Sequence, residues 1–299
     1  MSIEIPWTSH RILYRRFSFE AEVENTSPLR IGSGREPPLG STVDLAVIRI
    51  NRNGRDEPYI PGSSLKGVFR TVGEATAKAE KGLDVCSGLS RSTCMDKKQG
   101  EEAPLGELVE RKLRNNLVED AVRLFYRNAC LMCKIFGAPS FGAHIVFGDA
   151  YVQDGYSFGA RTGIAIDRRT GAVFPRALYT VEYVEPGAIF KFDIRGTNLP
   201  NYALGLLAKI LKMIDRGEVR VGGFKTRGFG ELRLRSLRIW IQDLRHPGRT
   251  ELEPLDEKDG KLDLTGLVDV RNGLIYAEEK WREVLGKMEE VWNHASLKD

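Results

Sequence analysis

Residues 222–230 read GGFKTRGFG, and residues 231–235 continue as ELRLR, where apolar and charged side chains alternate as they do in a strand. Four glycines in nine positions allow positive φ and let another stretch of backbone approach closely. Lys225 and Arg227 carry positive charge for phosphates, and the two phenylalanines could cover a base or pack beneath the loop. The stretch predicts either a loop that binds a polyanion or a tight turn before a strand.

The composition is that of an ordinary globular protein, with 299 residues of which 41% are hydrophobic and 29% charged. This length allows one large domain or two moderate ones. No apolar run is long enough to span a bilayer, and the N-terminus lacks the basic-then-apolar order of a signal peptide. We therefore expect a cytoplasmic protein with no membrane partner.

Charge is distributed unevenly, although the net charge is only +4. Residues 157–236 contain 14 Lys and Arg against 7 Asp and Glu, whereas residues 249–299 contain 8 against 13. One basic region and one acidic tail predict a cationic face for an anionic partner. The alternative is a solvated surface with no partner.

The apolar pattern predicts strands and helices in an irregular order. Strands are expected at residues 16–24, 44–50, 144–153 and 231–241, and helices from Ser63 or Ser64 onward and at residues 105–128, 202–216 and 277–292. Residues 164–194 predict a long hairpin followed by a third strand, and residues 84–104 predict a surface insertion. Without regular βαβ alternation, the expected class is α+β, an antiparallel sheet with helices on one face and a ferredoxin-like core.

The segment IPGSSLKGVFR, residues 60–70, contains two hydroxyls and two cations at the start of a helix. Ser63 and Ser64 lie at the expected N-terminus, and Lys66 and Arg70 lie one turn apart on the same face. Free N–H groups, the helix dipole, the hydroxyls and the cations together favour an anion site. The alternative is a capped helix with exposed cations.

Four cysteines, Cys86, Cys94, Cys130 and Cys133, suit a structural metal site. Cys130 and Cys133 have the spacing of a metal knuckle, and the other two could supply the second pair. Four thiolates bind zinc in a closed tetrahedral site that has no open position for catalysis. A cytosolic chain favours zinc over disulfides, with one or two disulfides or unlinked thiols as the alternatives.

Signals for catalysis are few. The four histidines share no motif, and the GxSxG, HExxH and GxxxxGK[ST] patterns are absent. Asp44 lies between a flexible loop, residues 32–42, and a strand. A carboxylate at such a junction can orient a metal ion or a reacting hydroxyl, although capping of the loop is the commoner role.

The expected hairpin is basic at its turn. Arg168 and Arg169 lie at the turn itself, with Arg161 and Arg176 nearby. A basic hairpin tip could insert between nucleotides and splay a single strand. A solvated turn is the alternative.

Together, these segments resemble the RAMP superfamily of CRISPR-associated proteins and look most like the backbone subunit of type III effector complexes. The matching segments come in the family's order: LRIG at 29–32, VDLAVIR at 43–49, IPGSSLKGVFR at 60–70, CLMCKIFG at 130–137, FGDA at 147–150, IDRRTG at 166–171 and GGFKTRGFG at 222–230. The resemblance covers about residues 17–235 and leaves the tail after about residue 245 uncovered.

The resemblance implies an RRM-like, modified ferredoxin fold with a protruding thumb hairpin and inserted helical parts. We expect a RAMP domain at residues 1–245, with insertions at about 82–137 and a thumb at about 160–185. A C-terminal extension, residues 246–299, would carry an amphipathic helix that packs on the body or on a neighbouring subunit. The implied partners are guide RNA, complementary single-stranded target RNA, further copies of the chain and other CRISPR effector subunits.

The resemblance also implies roles for individual residues. Guide-RNA contacts fall on Ser63, Ser64, Lys66, Arg70, Gly222, Gly223, Lys225, Arg227 and Gly228. The thumb, with Arg161, Arg168 and Arg169, would insert between guide and target. The family's catalytic aspartate matches Asp44, which would support cleavage of target RNA with Mg²⁺ or another divalent cation, and zinc carries over to the cysteines in part. Not every backbone subunit cuts, so a non-catalytic scaffold and a standalone guide-processing ribonuclease are the alternatives.

Overall fold

The computed structural model describes residues 5–32, 34, 43–98, 103–153, 155–175 and 177–298. Its helices are α1 Gly62–Lys81, α2 Leu105–Arg114, α3 Val118–Asn128, α4 Leu131–Phe136, α5 Asn201–Asp215 and α6 Trp281–His294. Its strands are β1 Arg15–Asn25, β2 Arg49–Arg52, β3 Arg55–Ile60, β4 Ile145–Phe147, β5 Ala150–Val152, β6 Phe158–Gly163, β7 Tyr179–Val184, β8 Ile189–Thr197, β9 Leu232–Asp243, β10 Glu251–Leu252, β11 Leu262–Asp263, β12 Asp269–Arg271 and β13 Leu274–Ala277. The predicted mixture of helices with an antiparallel sheet is confirmed.

The main sheet is built around β1. Its strand order is β12-β13-β9-β1-β8-β5-β3-β2, and β4 also pairs with β8. The neighbouring strands of this sheet pair antiparallel. Phe17 of β1 lies between Gly196 of β8 and Ile241 of β9. Every second side chain of β1, at Phe17, Phe19, Ala21 and Val23, is at most 1% exposed. The alternation that predicted this strand therefore marks its core face.

Helix α5 is the centre of the helical layer, where it packs against α1, α6 and β9. The backbones of α5 and α6 come close together, since a Cβ added at Gly205 would lie 2.3 Å from the carbonyl oxygen of Met288. Trp292 and Met288 of α6 are fully buried. The apolar stripe of α6 is therefore covered by the chain's own α5, and it no longer argues for contact with a neighbouring subunit.

The C-terminal residues join the main sheet across the predicted boundary at residue 245. Strand β13 pairs with β9, so that Tyr276 lies opposite Trp240. The buried guanidinium of Arg15 donates to Asp243 Oδ2 at 3.0 Å and to the carbonyl oxygen of Glu253 at 2.8 Å. These contacts attach the extension to the core. No described helix combines the length and the apolarity that crossing a bilayer would need.

The prediction of one helix at residues 105–128 was wrong, because the segment forms α2 and α3. Asn116 between them takes a φ of 59°, a left-handed conformation that ends a helix. Both helices bury their apolar faces in one satellite cluster, which contains Val109 of α2 and Phe125 of α3. A continuous apolar stripe looks the same whether or not the helix folds back, so periodicity did not reveal the break.

The predicted strand at residues 144–153 is interrupted between β4 and β5 at Gly148 and Asp149. The break lets Asp149 Oδ1 accept a 2.7 Å hydrogen bond from the N–H of Gly62 in the first turn of α1. We also expected Ser63 or Ser64 to be the N-cap of this helix, and that was wrong, because Pro61 holds the N-cap position and the helix begins at Gly62. The capping carboxylate comes from a break between two distant strands and could not be found from local sequence.

The predicted strand at residues 44–50 was wrong in its extent. Leu45 and Val47 form isolated bridges, and regular pairing begins only at Arg49 in β2. Leu45 bridges to Val181 of β7 instead of a strand of the main sheet. The segment is therefore shared between two sheets, which its apolar pattern alone does not reveal.

Candidate nucleic-acid interface and metal centre

Strands β6 and β7 form a hairpin that is separate from the main sheet. Phe158 pairs with Val184 at its base, and Gly163 pairs with Tyr179 at the far end of the ladder. The described residues beyond the ladder, 164–175 and 177–178, form the tip. Exposed apolar side chains cluster there at Ile164, Ile166, Val173, Phe174 and Leu178.

The two arginines predicted at the turn lie within this tip. The Arg169 side chain is 91% exposed, and its backbone N–H donates to Asp167 Oδ1 at 2.8 Å. Arg168 is exposed beside it. The tip therefore presents apolar and cationic side chains together. Arg176, which was predicted nearby, lies outside the described residues.

The glycine loop, residues 222–230, needs its glycines. Gly222, Gly228 and Gly230 have φ of 87°, 88° and 83°, and Phe224 takes a left-handed φ of 57°. A Cβ at Gly222 would lie 2.4 Å from the carbonyl oxygen of Arg30, and one at Gly230 would lie 2.1 Å from that of Val221. The positive φ and close backbone approach predicted for this loop are therefore present.

Gly230→Ala should lower the free energy of unfolding by about 2 kcal/mol more than Gly228→Ala does, because overpacking of this kind costs 1–3 kcal/mol. Both glycines have a positive φ, 88° at Gly228 and 83° at Gly230, but nothing lies within 4 Å of a Cβ at Gly228. Urea denaturation of the two variants measures the difference. Equal losses would mean that only the backbone conformation, and not the contact with Val221, requires glycine.

A small aromatic cluster joins the glycine loop to the hairpin. Val181, Tyr183 and Phe229 are buried in it, with Leu45, Tyr179 and Phe224 at its border. Phe229 is 3% exposed and meets Tyr183 edge to face at 5.6 Å. Of the two roles open to the phenylalanines, Phe229 therefore takes the structural one and packs beneath the loop.

Two of the predicted RNA-binding arginines lie on this cluster. The Arg227 guanidinium lies 5.1 Å from the centre of the Phe224 ring and donates to the hydroxyl of Tyr179. The Arg161 guanidinium lies 5.5 Å from the Phe229 ring centre. Cation–π contacts hold both charges where the loop meets the hairpin.

Asp44 lies at the same junction and is exposed. Its Oδ2 accepts a 2.6 Å hydrogen bond from the N–H of Thr180, and its own N–H donates to the Thr180 carbonyl oxygen at 3.0 Å. Thr180 follows Tyr179, the partner of Arg227, on β7. The carboxylate is thus held against the hairpin by backbone bonds. The small residues predicted to precede it, 40–42, lie outside the described residues.

A groove of about 590 Å³ runs between α1 and the glycine loop. Ser64, Gly67 and Thr71 line its α1 side, and Gly222, Gly223 and Lys225 line the loop side. Nothing lies within 4 Å of a Cβ at Gly67, so this part of the helix surface is open. Two motifs about 160 residues apart in sequence therefore face each other across one groove.

Ser63 and Lys66, two further predicted contacts on α1, are sequence neighbours of the lining residues Ser64 and Gly67 but do not themselves line the groove. Ser63 is exposed, and Lys66 is half-buried. Burial, and then the neighbouring charge of Arg70, lowers the pKa of Lys66. A partly desolvated ammonium gains more from an added anion than one that is fully hydrated.

The four cysteines converge as predicted, with their sulfurs within 4.8 Å of one another. Cys86 Sγ lies 3.2 Å from Cys133 Sγ and 3.7 Å from Cys130 Sγ. All four are free thiols, and these separations exceed the S–S bond of about 2.05 Å. Zinc–sulfur bonds of about 2.3 Å in a tetrahedron place sulfurs slightly under 4 Å apart, so the cluster fits a four-thiolate metal centre.

Two local devices hold the cysteines in place. A capping box between Thr93 and Asp96 fixes the short 3₁₀ turn that begins at Cys94. The N–H of Cys130 donates to Cys94 Sγ at 3.2 Å, just before α4 carries Cys133 into the cluster. Hydrogen bonds from the neighbouring thiols, first Cys133, lower the pKa of Cys130. The cluster therefore favours thiolate at one position.

The profile of the RAMP superfamily matches residues 22–233, which is more than half of the chain. The chain belongs to the RAMP superfamily. A comparison with curated proteins found no match. Among solved structures, this RAMP protein is similar to a chain described as "Cryo-EM structure of the Type III-B Cmr-beta bound to cognate target RNA", with 14% identity and a TM-score of 0.45. The similarity covers 75% of this chain and 61% of that one, less than two thirds of its length.

Arg70 of this RAMP protein does not point at the groove. Its Nε donates to Glu74 at 3.1 Å and its Nη1 to the carbonyl oxygen of Gly137 at 3.1 Å. Its Nη2 lies 3.8 Å from both Cys86 Sγ and Cys133 Sγ. The predicted RNA contact would require the guanidinium to leave all of these partners.

Sequence reasoning missed one arginine beside the glycine loop of this RAMP protein. Arg30 lies with its guanidinium 5.5 Å from the Phe224 ring centre, and its Nε donates to the Leu45 carbonyl oxygen at 3.4 Å. Burial lowers its pKa. The carbonyl oxygen of Arg30 also accepts a 2.9 Å bond from Gly223. Arg30 belongs to the LRIG segment that contributed to the family resemblance, but no pattern in the nearby sequence connects that segment with the loop at residue 223.

Proposed function

We propose that this protein binds guide RNA as a backbone subunit of a type III CRISPR effector complex and cleaves complementary target RNA with a divalent cation. Membership of the RAMP superfamily supports the class. The observation that carries the proposal is the groove of about 590 Å³ between Ser64 on α1 and Gly222, Gly223 and Lys225 on the glycine loop.

The groove suits the sugar–phosphate backbone of a single strand. Glycines on both walls let a backbone approach, Lys225 supplies charge for a phosphate, and Ser64 and Thr71 can bond phosphate or 2′-hydroxyl oxygens. Lys66 and Ser63, which neighbour Gly67 and Ser64 in sequence on α1, can add donors. Such contacts hold RNA without reading its sequence, as a subunit that accepts many guides requires.

In this proposal the hairpin of β6 and β7 is the thumb of an RRM-like RAMP core at residues 1–245. Ile166, Phe174 and Leu178 are exposed at its tip and can wedge between bases, and Arg168 and Arg169 can meet the flanking phosphates. Apolar side chains exposed together at a loop tip need a partner to cover them. Displaced bases of a guide–target duplex are such a partner.

Asp44 is the residue we assign to the chemistry. It is an exposed carboxylate near the tip end of the β6–β7 ladder, held by the N–H of Thr180, whose sequence neighbour Tyr179 accepts from Arg227. One carboxylate together with phosphate oxygens and waters suits Mg²⁺, which would supply stabilisation of charge that develops on the phosphate. Arg227 can bind the same phosphate. The scaffold alternative keeps the groove and the thumb but gives Asp44 only its bonds to Thr180.

The cysteine cluster enters the proposal as a structural zinc site. Four thiolates leave no open coordination position, and three of the four cysteines are at most 7% exposed. The cluster joins α4, the turn at Cys94 and the segment that follows α1 at Cys86. Its part is to support the fold of residues 82–137, which we take as the insertion.

Lys225→Gln should weaken binding of single-stranded guide RNA and reduce the salt dependence of binding. The slope of log Kobs against log salt should fall by about 0.7, the value for one phosphate contact on a single strand. Fluorescence polarisation with a labelled guide RNA over a salt series measures both. The matched control is Lys287→Gln on α6, which removes the same charge from an ion pair with Glu290. Equal slopes for wild type and both variants would reject the groove as the RNA site.

A further inference from the structure

A divalent metal held by the cysteine cluster would leave a charge that the protein must balance. Four thiolates around a divalent cation have a net charge of −2. Cys86, Cys94 and Cys133 are 7%, 3% and 0% exposed, so water does little to stabilise that charge. A buried charge is costly unless a cation or hydrogen-bond donors lie against it.

Arg70 supplies both a cation and donors. Its Nη2 lies 3.8 Å from Cys86 Sγ and 3.8 Å from Cys133 Sγ, which is the distance of a long N–H···S contact. Lys97 is the other cation near the cluster. Its pKa is raised first by its bond to Asp84, at 2.9 Å, and only then by the charges of Cys94 and Cys130, and its side chain is 53% exposed. Arg70 is thus the buried cation that touches the sulfurs among the described residues.

The surrounding chain is built to receive this guanidinium. Glu74 and the carbonyl oxygen of Gly137 accept from its other two nitrogens. Gly88 lies directly against it, since a Cβ there would be 2.3 Å from the guanidinium carbon. Gly88 also has a φ of 69°, so two separate reasons, the backbone conformation and the contact with Arg70, favour glycine at this position. Only 17% of the Arg70 side chain is exposed.

We propose that Arg70 is a positioning residue of the metal centre, where it balances the thiolate charge of Cys86 and Cys133, and is not a residue that contacts RNA. Outer partners of metal ligands orient the ligands and raise metal affinity, and their loss costs about 10- to 100-fold. The part of this inference that concerns RNA rests on the proposed function, whereas the part that concerns metal does not.

Arg70→Met should weaken zinc binding by about 10- to 100-fold, as loss of an outer partner does. Competition with a chromogenic zinc chelator on the full-length protein measures this affinity. Arg70→Lys keeps the charge but loses the planar fork, so it should fall between wild type and Arg70→Met. Lys78→Met, an exposed cation later on α1, should bind zinc as wild type does.

The salt dependence of RNA binding distinguishes the role of Arg70 on α1 from that of Lys66. With zinc at saturation, Arg70→Met should keep the wild-type salt slope for guide RNA, whereas Lys66→Met should lower it by about 0.7. Wild-type zinc affinity in Arg70→Met would overturn the proposal, as would a salt slope lowered to that of Lys66→Met. If Arg70→Met does not fold, Arg70→Lys decides, and wild-type zinc affinity in that variant has the same meaning. Failure of RNA binding in every variant would reject the proposed function and leave the zinc result standing.

Discussion

Asp44→Ala should abolish divalent-cation-dependent cleavage of complementary RNA by the guide-loaded complex, with a rate at least about 100-fold below wild type, as for loss of one group that stabilises transition-state charge. Regularly spaced cuts in a labelled target RNA, made by complex assembled with a defined guide and Mg²⁺, give the wild-type reference. Target binding should be unchanged, because the groove between α1 and the glycine loop does not include Asp44.

A second variant separates chemistry from structure. Asp44→Asn keeps an oxygen that can accept from the N–H of Thr180 but loses the charge that a cation needs. Both variants should therefore be inactive, and the asparagine variant should unfold at the wild-type temperature. Full cleavage by Asp44→Asn would mean that Asp44 only holds β7 through the N–H of Thr180 and takes no part in the chemistry. Tight target binding without cuts in wild type would favour the scaffold, and cuts that survive Asp44→Ala would place the chemistry on another residue or subunit.

Cys133→Ser should remove the bound metal and lower the free energy of unfolding by several kcal/mol. Structural zinc contributes about 10–16 kcal/mol in isolated zinc-finger peptides, and the loss should be smaller here because the main sheet has its own core. Cys133 is fully buried and touches both Cys86 and Arg70, so its loss disturbs the whole cluster. Elemental analysis gives the metal content, and calorimetry gives the unfolding temperature.

The matched control for this substitution is Ser87→Ala, an exposed neighbour of Cys86 that should keep both the metal and the stability. Chelation of wild type should reproduce the Cys133→Ser result. A metal-free wild type with four reactive thiols and unchanged stability would reject the metal centre. A metal-free protein with no reactive thiols would mean that the cysteines form disulfides.

The strands and helices predicted best are those with long, regular apolar patterns. β1, α5 and β9 lie within a few residues of their expected bounds, since each buries one complete face against the core. The short segments were predicted less well. Residues 144–153 carry a strand pattern throughout, yet Asp149 interrupts them to cap α1. A hydrogen bond between distant segments leaves no period in the sequence.

The candidate site divides in the same way. The cysteine spacing predicted a metal cluster, because ligand identity and short spacing already restrict the geometry. Spacing along α1 placed Lys66 and Arg70 on one face, but it could not show that Arg70 bends toward sulfurs contributed by residues 86 and 133. An arginine side chain is long enough to choose among several partners, and only packing selects one.

The sequence by itself determined the family, the antiparallel α+β class, the glycine loop and the set of four cysteines that cluster, because these depend on residue type and local spacing. Tertiary structure alone decided that Ser64 faces Gly222 and Lys225 across one groove, that Asp44 is held against the hairpin by Thr180, and that Arg70 belongs to the cysteine cluster. Each of these pairs joins distant segments. Their meeting follows from how the sheet and helices pack, which no local pattern records.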